Sequence, residues 1–218
     1  PVAELSAAER INLAIYRPQV SDLADNVRFG SYEMPFNSVS SFWSDLGFIT
    51  REPMRKTEDV EAYLKLLADI PRYFDEQTAN MRAGLKRGFS VPREVLAGRD
   101  VTIAAVADLT DAEKSEFYKP LVELPSTIAV ERQEQLRAQA RSVIGDEVIP
   151  AFSRLLTFFR DEYMHKARKT LAAKAMPNGK AWYRQQIHEY TTLELDAEAI
   201  HRIGLDEVAR IHAQMLST

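Results

Sequence analysis

The stretch STIAVERQEQLRAQARSVIGDEVIPAFSRLLTFFRDEYMHKARK, residues 126–169, decides the fold. Ile128, Leu136, Val143, Ile144, Val148, Leu155 and Phe159 fall near one stripe at helical spacing, with charged residues interleaved. The period of two that marks a half-buried strand is missing. The spacing predicts one long helix. A bend is expected at Pro150, because proline lacks a backbone donor and crowds the turn before it.

Outward from this rod the signals stay helical. Ser6-Ala7-Ala8-Glu9 is a capping box that opens a helix through Ile11, Leu13, Ile15, Val20, Leu23 and Val27, with a kink or break expected near Arg17, ahead of Pro18. Tyr32 to Pro53 reads as an irregular segment holding a short helix at Ser41 to Leu46. Thr57 is placed to cap a helix carrying Val60, Tyr63, Leu64 and Leu67, Pro71 to start its successor, and Gly88 to close that second helix. Pro92 is expected to start another helix, and Thr110-Asp111-Ala112-Glu113 is a second capping box. Val101-Thr102-Ile103 is the one strand-like run. Pro177-Asn178-Gly179 reads as a turn, Ala181 to Tyr190 as a short helix, and Asp196 as the cap of a last helix with the stripe Ile200, Ile203, Val208, Ile211 and Met215. The expected fold class is all-α: a single irregular multi-helix domain over residues 1–218, with long kinked helices and short connecting loops.

Composition narrows the function classes. The chain has 218 residues, 10 prolines, 8 glycines and no cysteine, which removes disulfides, thiolate zinc sites and cysteine nucleophiles. Its net charge of −4 lacks the basic excess of a phosphate-binding surface, so no nucleic-acid partner is expected. No run approaches the ~18 apolar residues of a membrane span. The chain opens with Pro1-Val2-Ala3-Glu4, not with a basic stretch followed by an apolar one.

Four histidines were weighed as ligands: His165, His188, His201 and His212. His188-Glu189 begins like a zinc helix, but the second imidazole one turn on is replaced by Thr192. His201 and His212, eleven residues apart, lie ~16 Å apart along a helix and cannot share an ion. Glu162 with His165, and Glu198 with His201, make two Glu-x-x-His pairs, to which Glu134 and Glu189 could add the carboxylates of a di-metal bundle. That set is the alternative metal reading. No Gly-x-Ser-x-Gly elbow and no phosphate-cradling loop occur, so no catalytic residue is assigned. Phe42, Trp43, Phe48, Phe158, Phe159 and Trp182 are expected in the core and not in a ligand groove.

Four blocks carry a resemblance: Met34-Pro35-Phe36-Asn37, Tyr63 to Pro92 with Asn80-Met81-Arg82-Ala83-Gly84 inside, Pro150-Ala151-Phe152 to Tyr163, and above all Pro177-Asn178-Gly179 through Met215. In these the chain resembles the bacterial domain-of-unknown-function 885 family (DUF885), whose members look like gluzincin-type metallopeptidases. The family's metal stretch, a His-Glu followed by Pro-Gly-His, has no Pro-Gly-His counterpart here. The resemblance therefore implies the N-terminal piece of a longer protein, a non-catalytic helical scaffold that walls a substrate cleft. It also implies no cofactor in this chain, zinc in the full-length parent, and a missing C-terminal catalytic region and a peptide substrate as partners. A periplasmic or secreted parent fits, and a cytoplasmic one is allowed. Asn178, Tyr183 and His201 are the expected substrate-cleft contacts. A helical protein-interaction module is the remaining alternative.

Overall fold

The computed structural model describes residues 4–37 and 39–217. Every regular element among them is helical, apart from a lone antiparallel bridge between Phe36 and Ser41. The chain divides into two compact units, Tyr32–Leu171 and Pro1–Ser31 with Ala172–Thr218.

In the unit Tyr32–Leu171, a short helix α2 (Phe42–Asp45) leads to α3 (Thr57–Arg87), 31 residues long. Two helices meeting at Pro71 were expected, yet α3 runs through it. One donor is lost, but Ile70 and Phe74 on either side are buried and hold both halves to the same core. Lys56, not Thr57, is the cap residue, and the Asp59 carboxylate accepts from the Arg55 and Lys56 amides at 2.9 and 3.2 Å. Gly88, left-handed at φ 80°, closes the helix as expected.

Val101-Thr102-Ile103 is helical, inside α4 (Asp100–Ala107). Ile103, Ala104 and Val106 are buried, and α4 packs on the helix Ile149–Phe158, so tertiary contact overrides β-branched preference. Pro92 opens only a three-residue turn, Arg93–Val95, and Asp111 caps another, Ala112–Lys114.

The decisive stretch is continuous from α5 (Val130–Val143) through α6 (Ile149–Phe158) to α7 (Met164–Lys166), joined by wide π turns at Ile144–Val148 and Phe159–Tyr163. The expected bend at Pro150 takes the form of the first wide turn, which ends just before the proline and absorbs its missing donor. The second sets Phe159 and Tyr163 in a stacked pair, 5.8 Å between centroids at 15°.

Aromatic rings fill the space between α3 and this rod. Phe74 meets Phe152 edge-on at 4.8 Å, Phe42 meets Phe74 at 5.4 Å and Trp43 at 5.0 Å, and Phe36 meets Trp43 at 5.2 Å and Tyr163 at 5.3 Å. Polar tips are satisfied: the Trp43 indole donates to Thr102 at 3.0 Å, and the Tyr63 hydroxyl donates to the Phe117 carbonyl at 2.7 Å. Burial, aided by the charge of Glu116, pushes the Tyr63 phenol far above its ordinary value, and burial pushes Tyr163 up to about 12. Both phenols stay neutral at physiological pH and act as packing. Phe42, Trp43, Phe158 and Phe159 are core as expected, whereas Phe48 is 61% exposed and Trp182 only half-buried.

The other unit holds α1 (Ala7–Phe29), α8 (Gly179–Thr191) and α9 (Ala197–Leu216). The capping box of α1 is present, with Ser6 and Glu9 exchanging hydrogen bonds of 2.7 and 3.3 Å. The helix continues through Pro18 to Gly30 at φ 69° instead of breaking, because capped helix on both sides sustains the ladder around one lost donor. Asp196 caps α9 as expected, accepting from the Ala199 amide at 2.7 Å. No described helix is long and apolar enough to cross a membrane.

Gly84 marks the tightest approach in the unit Tyr32–Leu171. A Cβ there would lie 2.5 Å from the Phe89 carbonyl oxygen and 2.7 Å from that of Glu33, both backbone, whereas one on Gly145 would meet open space. Urea denaturation should show Gly84→Ala destabilised by about 1–3 kcal/mol from overpacking. Gly145→Ala should be neutral or stabilised by up to about 1 kcal/mol. Equal effects would contradict the close approach.

Candidate functional site

In the unit Pro1–Ser31 with Ala172–Thr218, a tight fold-back builds the larger hollow. The turn Ala173–Ala175 is followed by Asn178 in the left-handed region, φ 54°, a conformation asparagine tolerates better than most residues. Gly179 comes next, where a Cβ would lie 1.9 Å from the Ala173 carbonyl oxygen, so only glycine fits. This closeness lays Ala172, Ala173 and Lys174 beside the first turns of α8.

The hollow has a volume of about 810 Å³. Ala172, Ala173 and the buried Ile187 give it apolar wall, Tyr183 adds a ring, Lys174, Lys180 and Arg184 bring positive charge, and Asp196, Ala197 and Glu198 come from the start of α9. Lys180, Tyr183, Arg184 and Ile187 are spaced by three and four, which puts all of them on one face of α8. The lining thus holds three cations against two carboxylates, Glu198 and Asp196, the latter also accepting the capping bond of α9. Among the described residues, Lys174, Lys180 and Arg184 make no ion pair.

The expected contact residues separate. Tyr183 lines the hollow, Asn178 is exposed and shapes the turn beneath it, and His201 is exposed on α9 outside the lining. The three cations were not singled out from sequence. Lys180 and Arg184 were within reach of helical spacing with Tyr183, but Lys174 arrives only through the fold-back.

Of the alternative metal set, Glu134, Glu162 and Glu189 have other partners. Glu162 pairs with Arg82 at 3.0 Å and Lys166 at 3.2 Å, and Glu134 with Arg137 at 2.6 Å. Glu189 accepts from Gln185 at 2.9 Å and Gln186 at 3.1 Å. His188 Nδ1 lies 3.2 Å from the Glu194 carboxylate without a hydrogen bond to it. His165 is exposed, as are Glu198 and His201. Among the described residues no three of His, Asp and Glu converge as a metal-holding group.

A smaller hollow of about 400 Å³ lies in the unit Tyr32–Leu171, lined by Arg82, Ser153, Arg154, Thr157, Phe158, Asp161 and Glu162. Arg82 already sits 4.7 Å over the Phe158 ring while pairing with Glu162, which makes this a structural cluster. Burial works against the Glu162 charge, but the hydrogen bonds and charges of Arg82 and Lys166 together hold its carboxyl below the ordinary 4.5. A depressed carboxylate stabilises the fold above its unfolded value, and that contribution is lost as pH falls through the folded one. Acid titration of unfolding should therefore show a shallower loss of stability below pH 4.5 for Glu162→Gln than for the parent chain. Identical slopes would remove Glu162 from the account.

Thr192 ends α8 at φ 58°, its amide bonded to the His188 carbonyl at 2.7 Å. A β-branched residue is strained in the left-handed region, at a cost of roughly 1–2 kcal/mol. Thr192→Gly should raise Tm by a few degrees, about 2–4 °C per kcal/mol for a chain of this size. A lowered Tm would show that its side chain outweighs the strain.

A crystal structure described as that of "the putative lipoprotein from Colwellia psychrerythraea" shares the fold, with a TM-score of 0.75 over 84% of this chain at 22% identity. The chain spans only 32% of that structure's length. No curated protein matches. The family described as bacterial protein of unknown function (DUF885) matches residues 1–218, and the chain belongs to that family.

Proposed function

We propose that the chain is a non-catalytic helical part of a longer, zinc-metallopeptidase-like hydrolase, forming one wall of its substrate cleft. The hollow beside α8 carries this reading. It pairs an apolar wall and the Tyr183 ring with Lys174, Lys180 and Arg184, a surface suited to an extended peptide that presents carboxylates. Support for a longer parent comes from the Colwellia structure, of which this chain matches 32%. Since that protein is described as a putative lipoprotein, a parent working outside the cytoplasm fits best. The described residues converge on no zinc ligand set, and no zinc-dependent step is assigned to any of them.

Titration calorimetry with an acidic peptide tests the cleft. The chain should bind it, and the double variant Lys180→Glu, Arg184→Glu should weaken binding at least tenfold, while elemental analysis finds no stoichiometric zinc and a peptide-cleavage screen finds no turnover. Absent binding, or binding unchanged in the variant, overturns the cleft assignment. Stoichiometric zinc with turnover overturns the non-catalytic one.

A further inference from the structure

The apolar stripes of α1 and α9 face outward. At about 100° per residue, Tyr16, Val20, Leu23 and Val27 lie on the side of α1 opposite Pro18, Asp22, Asp25 and Phe29. The second set is buried or half-buried, whereas the first is 44–70% exposed, so the helix covers a largely polar face and bares its apolar one. In α9 no residue is buried, and Val208, Ile211 and Met215 are 68%, 46% and 73% exposed. Helices in proteins draw most of their stability from packing an amphipathic face, and a 20-residue helix with none packed lacks that support.

We propose that these two stripes are interior surfaces, each covered in the working protein by further polypeptide of the same chain. The inference rests on the reading of a longer parent and adds the interface through which that parent holds this piece. The 4-3-4 spacing of Tyr16, Val20, Leu23 and Val27 gathers them into a narrow apolar seam, which the apolar face of another helix would fit. The Colwellia structure supplies the length: two thirds of a similarly folded chain lies outside the part matched here. A lipid surface fits poorly, because the helices carry Asp22, Asp25, Asp206 and Glu207 and the chain has no cationic excess.

The absence of cysteine allows single thiols to report on each face. Leu23→Cys and Ile211→Cys probe the stripes, Ser21→Cys and Ala209→Cys the sides away from them, and circular dichroism confirms that each variant is folded. In the 218-residue chain all four should react with a maleimide at rates within about threefold of one another. In the polypeptide expressed from the complete reading frame, the stripe thiols should react at least tenfold more slowly while the other two are unchanged. Equal rates in both proteins overturn the proposal, as does a reading frame that adds no chain. Slow stripe thiols already in the 218-residue chain, with concentration-dependent sedimentation, overturn it in favour of a second copy. The zinc and cleavage assays read nothing of this interface, so turnover would sink the functional reading and leave these rates standing.

Discussion

The contact between Phe74 and Phe152, 4.8 Å apart and edge-on, is the hinge of the unit Tyr32–Leu171. Phe74 lies on α3 only three residues past Pro71, and Phe152 lies on α6 two residues past Pro150, so both prolines are followed closely by fully buried rings of the core. Burying aromatic rings here is worth more than the backbone bond each proline forfeits, a loss of roughly 3 kcal/mol when uncompensated. Where the helix must still adjust, it widens into π turns, and the second of these brings Phe159 onto Tyr163. The core is thereby closed by rings, with its two deeply buried phenols kept neutral.

That closure separates packing from chemistry. On the surface of the unit Tyr32–Leu171 several charged side chains pair with one another, as in Arg132 with Glu61 and Arg160 with Asp100. Exposed pairs of this kind contribute little to stability. In the other unit, Lys174, Lys180 and Arg184 gather around one hollow without ion pairs among the described residues. A charge surplus on an apolar wall is a reason to look for a ligand there, and the same unit carries the bared stripes of α1 and α9.

Legibility from sequence followed the range of the forces involved. The capping box at Ser6, the Asp196 cap and the Gly30 and Gly88 ends are hydrogen bonds closed within a few residues, and the first, second and fourth were readable as such. Thr192 in the left-handed region was not, because β-branched residues avoid that conformation unless their surroundings hold them there. Of the expected contact residues, Tyr183 lines the hollow, whereas Asn178 and His201 are not in its lining. Lys174 joins the hollow across the Asn178-Gly179 fold-back, a proximity that no helical spacing encodes.

By itself the sequence determined that this protein is all-α and where most of its helices start and stop, because periodicity and capping act between neighbours three or four residues apart. Only the tertiary structure decided that α1 and α3 run through their prolines, that Val101-Thr102-Ile103 is helical, and that the stripe of the decisive rod is buried while those of α1 and α9 are bare. An apolar stripe states that a face needs a partner, and whether one is present depends on what the rest of the fold brings opposite it.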